Sequence, residues 1–156
     1  MTTFIREATI LDLAHVAHHL TDLDRMELAV SRETPIDAER LTLDAWKTTL
    51  HYAALTRDAE PAMVFGVDFN QPFTTTVWGF KTDRYREVIL PVTKFIRRTM
   101  LPHLRDTIRV AEAQCVVHPD NQPSRKWLSV LGFSLKATLS GFGNRGEDML
   151  LYARTA

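Results

Sequence analysis

Cysteine is nearly missing from this 156-residue chain, and glycine is scarce at six residues. Cys115 stands alone in an apolar run, so no internal disulfide can form and a reducing compartment fits best. Net charge is also absent: nineteen basic side chains cancel nineteen acidic ones. No long-range field therefore draws the protein to nucleic acid or to an anionic membrane, and neither is expected as a partner. No apolar run approaches the ~20 residues that a membrane span requires. The N-terminus, Met-Thr-Thr-Phe-Ile-Arg-Glu, lacks the basic and then apolar regions of a signal peptide. Repeats, low-complexity tracts and linkers are missing too. What is present is ordinary globular material, 45% hydrophobic and 24% charged, long enough for one domain (residues 1–156) with a real core.

The periodicity reads as alternating structure. Thr3 to Ala8 is expected to be a strand. Thr9 caps a helix, with Asp12 three residues on as an acidic capping box and Ile10, Leu13, Ala14, Ala17 and Leu20 on its buried face. A second helix is expected from Asp22 to about Arg32, carrying Leu23, Met26, Glu27 and Val30, and a third from Asp37 to about Leu50. The period then changes to two. Tyr52 to Thr56, Ala62 to Phe69 and Thr74 to Phe80 read as an antiparallel meander, with turns at 57–61 and at Asn70-Gln-Pro-Phe. A helix from Val88 to Met100 is expected to stop at Pro102. Strand Arg109 to Val117, helix Pro123 to Leu131 capped by Asp120 or Asn121, and strands Phe133 to Ser140 and Asp148 to Arg154 complete the order. The sum is β-α-α-α-β-β-β-α-β-α-β-β: one α/β domain, its mixed and mostly antiparallel sheet covered by helices.

The richest stretch runs from Gln114 to Phe133: apolar strand, tight turn, capped helix, then Gly132 as a left-handed stop. With the element order, Asn121-Gln-Pro-Ser124 and Leu131-Gly-Phe133 make the chain resemble the GNAT superfamily of acyl-CoA-dependent N-acyltransferases. Residues 110 to 154 carry the specific part. More narrowly, the chain is similar to the GNAT-like proteins of short-tailed phages often labelled internal virion protein A. That likeness rests on Ala62-Met-Val-Phe-Gly66, Val77-Trp-Gly-Phe-Lys-Thr82, Phe95-Ile-Arg-Arg98 and the closing strand.

The superfamily resemblance implies acetyl-CoA or another acyl-CoA as cofactor. It also implies a loop of the form Arg-x-x-Gly-x-Gly/Ala whose backbone donors receive the diphosphate. Here the corresponding stretch, Lys81-Thr-Asp-Arg-Tyr-Arg-Glu-Val88, has no glycine and carries Asp83 and Glu87. Lys81, Arg84 and Arg86 remain as candidate phosphate ligands, and Asn121 and Ser124 as candidate cofactor contacts that a helix cap also explains. Relatives place a tyrosine acid where Leu128 stands, so no catalytic residue is assigned. The combined expectation is a catalytically degenerate fold without cofactor, acting as a virion or assembly component made in the host cytoplasm. Its partners would be other virion proteins or further copies of itself. The alternative is an active, cytoplasmic N-acyltransferase, with water or His118 carrying the proton. An open or plugged cleft between strands Thr74–Phe80 and Arg109–Val117 discriminates between them.

Other features read more simply. His15, His18 and His19 lie on a solvated helix face, with no third metal ligand evident. Gly141-Phe-Gly-Asn-Arg-Gly146 spells a dinucleotide fingerprint but leads into a strand, so a hairpin loop is expected. Lys94, Arg97, Arg98 and Arg105 make a solvated basic patch. Cys115 reads as a small buried hydrophobe, and Trp46, Trp78 and Trp127 as core or subunit contacts.

Overall fold

The computed structural model describes residues 4–71 and 74–155. Thr3 of the expected first strand, and Pro72 and Phe73 of the expected second turn, lie outside the described residues. Seven strands form one sheet in the order β1-β2-β3-β4-β5-β7-β6. They are β1 (Phe4–Glu7), β2 (Leu50–Leu55), β3 (Pro61–Gln71), β4 (Thr74–Lys81), β5 (Glu112–Val117), β6 (Ser134–Leu139) and β7 (Met149–Thr155). Every neighbouring pair is antiparallel except β4 with β5. The expected mixed and mostly antiparallel α/β domain is what the chain folds into.

Caps fix the helix starts. Thr9 opens α1 (Ile10–His18), its hydroxyl accepting from the Asp12 N–H while the Asp12 carboxylate accepts from the Thr9 N–H. Thr21 caps α2 (Asp22–Ala29), its hydroxyl accepting from the Asp24 N–H, and Asp37 caps α3 (Ala38–Trp46), its carboxylate accepting from the Arg40 N–H. Both helices stop short of their expected ends, and Leu50 already belongs to β2. Asn121, and not Asp120, caps α5 (Gln122–Val130).

The sheet is apolar on both sides, and the twofold alternation of a strand sorts its side chains. Met63 and Phe65 of β3 face one core with Val92, Ile96, Met100, Leu128 and Leu131. Val64 between them faces a second core with Leu13, Val16, Leu41 and Phe80.

The fourth helix corrects the sequence reading. It begins at Ile89 and does not stop at Pro102: α4 continues as Ile89–Phe95, a π segment Ile96–Met100, Leu101–His103 and a second π segment Leu104–Ile108. A proline inside an α-helix removes a donor and crowds the carbonyl four residues back. A π turn ahead of it widens the backbone and relieves that crowding. Continuing the helix buries Met100, Leu101 and Leu104. Arg109 ends it in the left-handed region at φ 63°, and the Val110 N–H returns to the Leu104 carbonyl. The strand expected from Arg109 therefore starts at Glu112.

The parallel pair is what positions the site. β4 and β5 pair only from Thr74↔Glu112 to Thr76↔Gln114. Beyond that point β4 keeps β3, β5 keeps β7, and the two strands part.

Candidate functional site

The parted strands leave a gap that side chains do not plug. On the α4/α5 side it is a cavity of ≈230 Å³, walled by Met63, Phe65, Ile89, Ile96, Trp127 and Leu128. On the α2/α3 side it is an open groove of ≈390 Å³ that includes Arg32, Asp44 and Asp68. Glu27, Val77, Trp78, Gly79, Phe80 and Cys115 line both, so the two spaces adjoin at the gap in the sheet.

Glu27 sits at that junction. Its Oε2 accepts from the Asn121 side-chain amide at 2.6 Å and from the His118 N–H at 3.3 Å. Burial pushes its carboxyl up; those two hydrogen bonds and Lys81 hold it down, while Asp24 pushes it further up. The sequence reading placed Glu27 on a helical stripe with Leu23, Met26 and Val30 and gave it no role. An acidic residue in an apolar stripe was the available signal. The folded carboxyl binds its proton more tightly than an ordinary glutamate, so its contribution to stability is present at low pH and lost as pH rises through the folded pKa. Glu27→Gln is accordingly expected to raise the urea midpoint at pH 8 and leave it unchanged at pH 4. Midpoints measured across that interval check it, and a drop at pH 8 would contradict the assignment.

The five candidate cofactor contacts do not converge on one anion site. Lys81, at the end of β4, is tied to the buried Asp24, which accepts from its Nζ at 2.9 Å and its N–H at 2.8 Å. Arg84 lies on the 3₁₀ turn Asp83–Glu87. It donates to Asp58 (2.9 and 3.1 Å), to Glu87 (2.7 and 3.0 Å) and to Glu60. The guanidinium holds the Asp58 carboxyl well below the usual range, and the three carboxylates push Arg84 further up. Arg86 lies 5.9 Å from the centroid of the Tyr85 ring. Asn121 is the buried cap whose amide reaches Glu27. Ser124 gives its N–H to Asn121 and lines the cavity.

These residues do not fit a diphosphate. Arg84 is already shared among three carboxylates, so its charge is taken up within the protein and is not free for a phosphate. Backbone donors of the segment are also taken up internally: Arg84 N–H by the Thr82 hydroxyl, Tyr85 N–H by the Thr82 carbonyl and Val88 N–H by the Tyr85 carbonyl.

The remaining groups are accounted for structurally. Leu128 is buried in the cavity wall and has no proton to donate. Burial pushes the Cys115 thiol up to about 12, which makes it a poor nucleophile. The His118 ring accepts from the Asp120 N–H in the turn after β5. The rings of His18 and His19 bond to the carbonyls of Ala14 and His15, and His15 meets Glu60 at 3.2 Å. Residues 141–146 form the loop between β6 and β7. Trp127 joins α5 to α4 through the Thr93 hydroxyl at 2.8 Å, Trp46 is partly exposed, and Trp78 lines the gap. Arg105 pairs with Asp106. No helix among the described residues is long and apolar enough to cross a membrane.

Seven strands with a single splayed parallel pair define a GNAT-type α/β fold, and solved structures agree. A GNAT superfamily phosphinothricin acetyltransferase from Sinorhizobium meliloti, in complex with AcCoA, is 16% identical. The likeness covers 99% of this chain and 89% of that one, at a TM-score of 0.74. A GCN5-related N-acetyltransferase from Kribbella flavida is 12% identical over 99% and 98% of the two chains, at 0.75. A GNAT-family acetyltransferase from Bacillus anthracis is 13% identical over 99% and 95%, at 0.71. No protein-family model and no curated protein sequence matches the chain. At these identities the shared property is the fold.

Proposed function

We propose that this chain is a GNAT-fold protein that does not turn over acyl-CoA and serves as a component of a protein assembly. The observation that carries this reading is Arg84, bound by Asp58, Glu60 and Glu87 on a glycine-free segment where the superfamily holds a diphosphate. Assembly in a short-tailed phage virion, with other virion proteins or further copies as partners, rests on the short sequence matches at 62–66, 77–82 and 95–98. Calorimetry with millimolar acetyl-CoA is expected to show no saturable binding; micromolar affinity would overturn the reading. Mass spectrometry of purified particles tests the virion role separately, and particles lacking the polypeptide would remove it.

The unplugged gap between β4 and β5, together with Glu27, favours a second reading, an acyl-CoA-dependent N-acyltransferase like the solved neighbours, since an open cleft is what that reading expects. A carboxyl with a raised pKa at the meeting point of two spaces is the kind of group that accepts a proton from an amine. In that case thiol release from acetyl-CoA in the presence of amines would fall by about 10²–10⁴-fold in Glu27→Gln.

A further inference from the structure

We propose that the outer edge of β1 and the flank of α4 beside it form a docking groove for an extended, acidic segment of another protein, which joins the sheet as a further strand. This rests on the reading of the chain as part of a protein assembly and names the chemistry of the partner.

Backbone geometry is the first argument. Among the described residues β1 is an edge strand, with β2 as its neighbour in the sheet. The Ala8 N–H donates to the His51 carbonyl, so by antiparallel alternation Phe4 and Arg6 also bond towards β2. The N–H and carbonyl of Ile5 between them turn outward, where an added strand pairs. The groove itself is the second. It measures ≈400 Å³ and is lined by Phe4, Ile5, Pro91 and Phe95, with Lys94, Arg98 and Thr99. Phe4 is 46% exposed, so an apolar side chain of the added strand would cover it.

Charge is the third. Lys94 and Arg98 lie four residues apart on α4, a spacing at which like charges repel and weaken a helix. They sit in mid-helix, away from the C-terminal turn whose dipole would favour them. Among the described residues neither makes a hydrogen bond or an ion pair, whereas Arg84 alone holds three carboxylates. Glu7, two residues along β1 from Ile5 and so on the same face, does not line the groove. The carboxylates of an acidic partner would pair with both cations and relieve their repulsion.

Other occupants fit less well. Two copies joined β1 to β1 about a twofold axis would set the same cations against each other. A nucleic acid would meet two cations and an otherwise apolar lining, on a chain of zero formal net charge.

The test uses the full chain and a fluorescein-labelled peptide, Thr-Glu-Thr-Phe-Thr-Glu-Thr, which as a strand presents Glu, Phe and Glu on one face. Anisotropy reads its affinity, and NMR of isoleucine methyl groups reads its place. Saturable binding and a shift of the Ile5 methyl signals are expected. Replacing both glutamates of the peptide by glutamine is expected to weaken binding by about tenfold, as is the double variant Lys94→Glu with Arg98→Glu. That variant is expected to prefer the peptide carrying lysine in place of glutamate, an exchange of preference that a misfolded chain could not show. Equal affinity for the glutamate and glutamine peptides, silent Ile5 signals, or full affinity in the double variant would overturn the proposal. Stronger displacement by single-stranded oligothymidylate than by unlabelled peptide would assign the groove to nucleic acid and overturn it too. Acetyl-CoA calorimetry and mass spectrometry of particles bear on the assembly reading, so a chain found in particles but indifferent to the peptide loses this inference alone.

Discussion

Lys81→Met is expected to cost about 3–5 kcal/mol of folding stability, the penalty for leaving one member of a buried ion pair alone. Asp24 is 5% exposed and accepts both the backbone N–H and the Nζ of Lys81. Removing the ammonium keeps the backbone hydrogen bond but strands the carboxylate near Glu27, whose own carboxyl Asp24 already pushes up. The double variant Asp24→Asn with Lys81→Met should recover much of the loss, because it removes the uncompensated charge and not only its partner. Urea denaturation of the single and double variants measures both. A single-variant loss under about 1 kcal/mol would mean the pair is solvated, in the manner of a surface salt bridge.

Phe65→Ala should be as damaging, at about 3–5 kcal/mol. Phe65 is 1% exposed, lies 5.6 Å from the Tyr52 ring and 6.0 Å from that of Phe95, and forms part of the wall of the inner cavity. Truncation would forfeit its burial and enlarge a void that already exists, since parted strands cannot close over it. Leu90→Ala is the control: Leu90 is 78% exposed, and its change should stay within about 0.5 kcal/mol. If both variants unfold at the same urea concentration, the packing described around β3 is wrong.

Much of the fold was legible because its causes are local. The Thr9–Asp12 capping box lies within four residues, and the stop at Gly132 needs only its own φ of +88°. Pro102 misled for a related reason. Its local rule forbids an α-helix, and only burial of Met100, Leu101 and Leu104 against the sheet makes the widened π turns favourable.

The site was harder to read. The missing glycines at 81–88 were visible in the sequence. The partners that neutralise Lys81 and Arg84 were not, since Asp24 lies 57 residues from Lys81 and Asp58 lies 26 from Arg84. Glu27 and Asn121 are 94 residues apart, so neither could be assigned to the other along the chain.

The sequence by itself determined the order of helices and strands, the Thr9 capping box, the Gly132 stop and the absence of a glycine cradle. Each follows from side-chain type and short spacing, which act within a few residues. Only the tertiary structure decided which charges cancel and where space remains. Both depend on β4 and β5 parting after three paired residues, which brings α2, the 3₁₀ turn and the Asn121 cap around one gap.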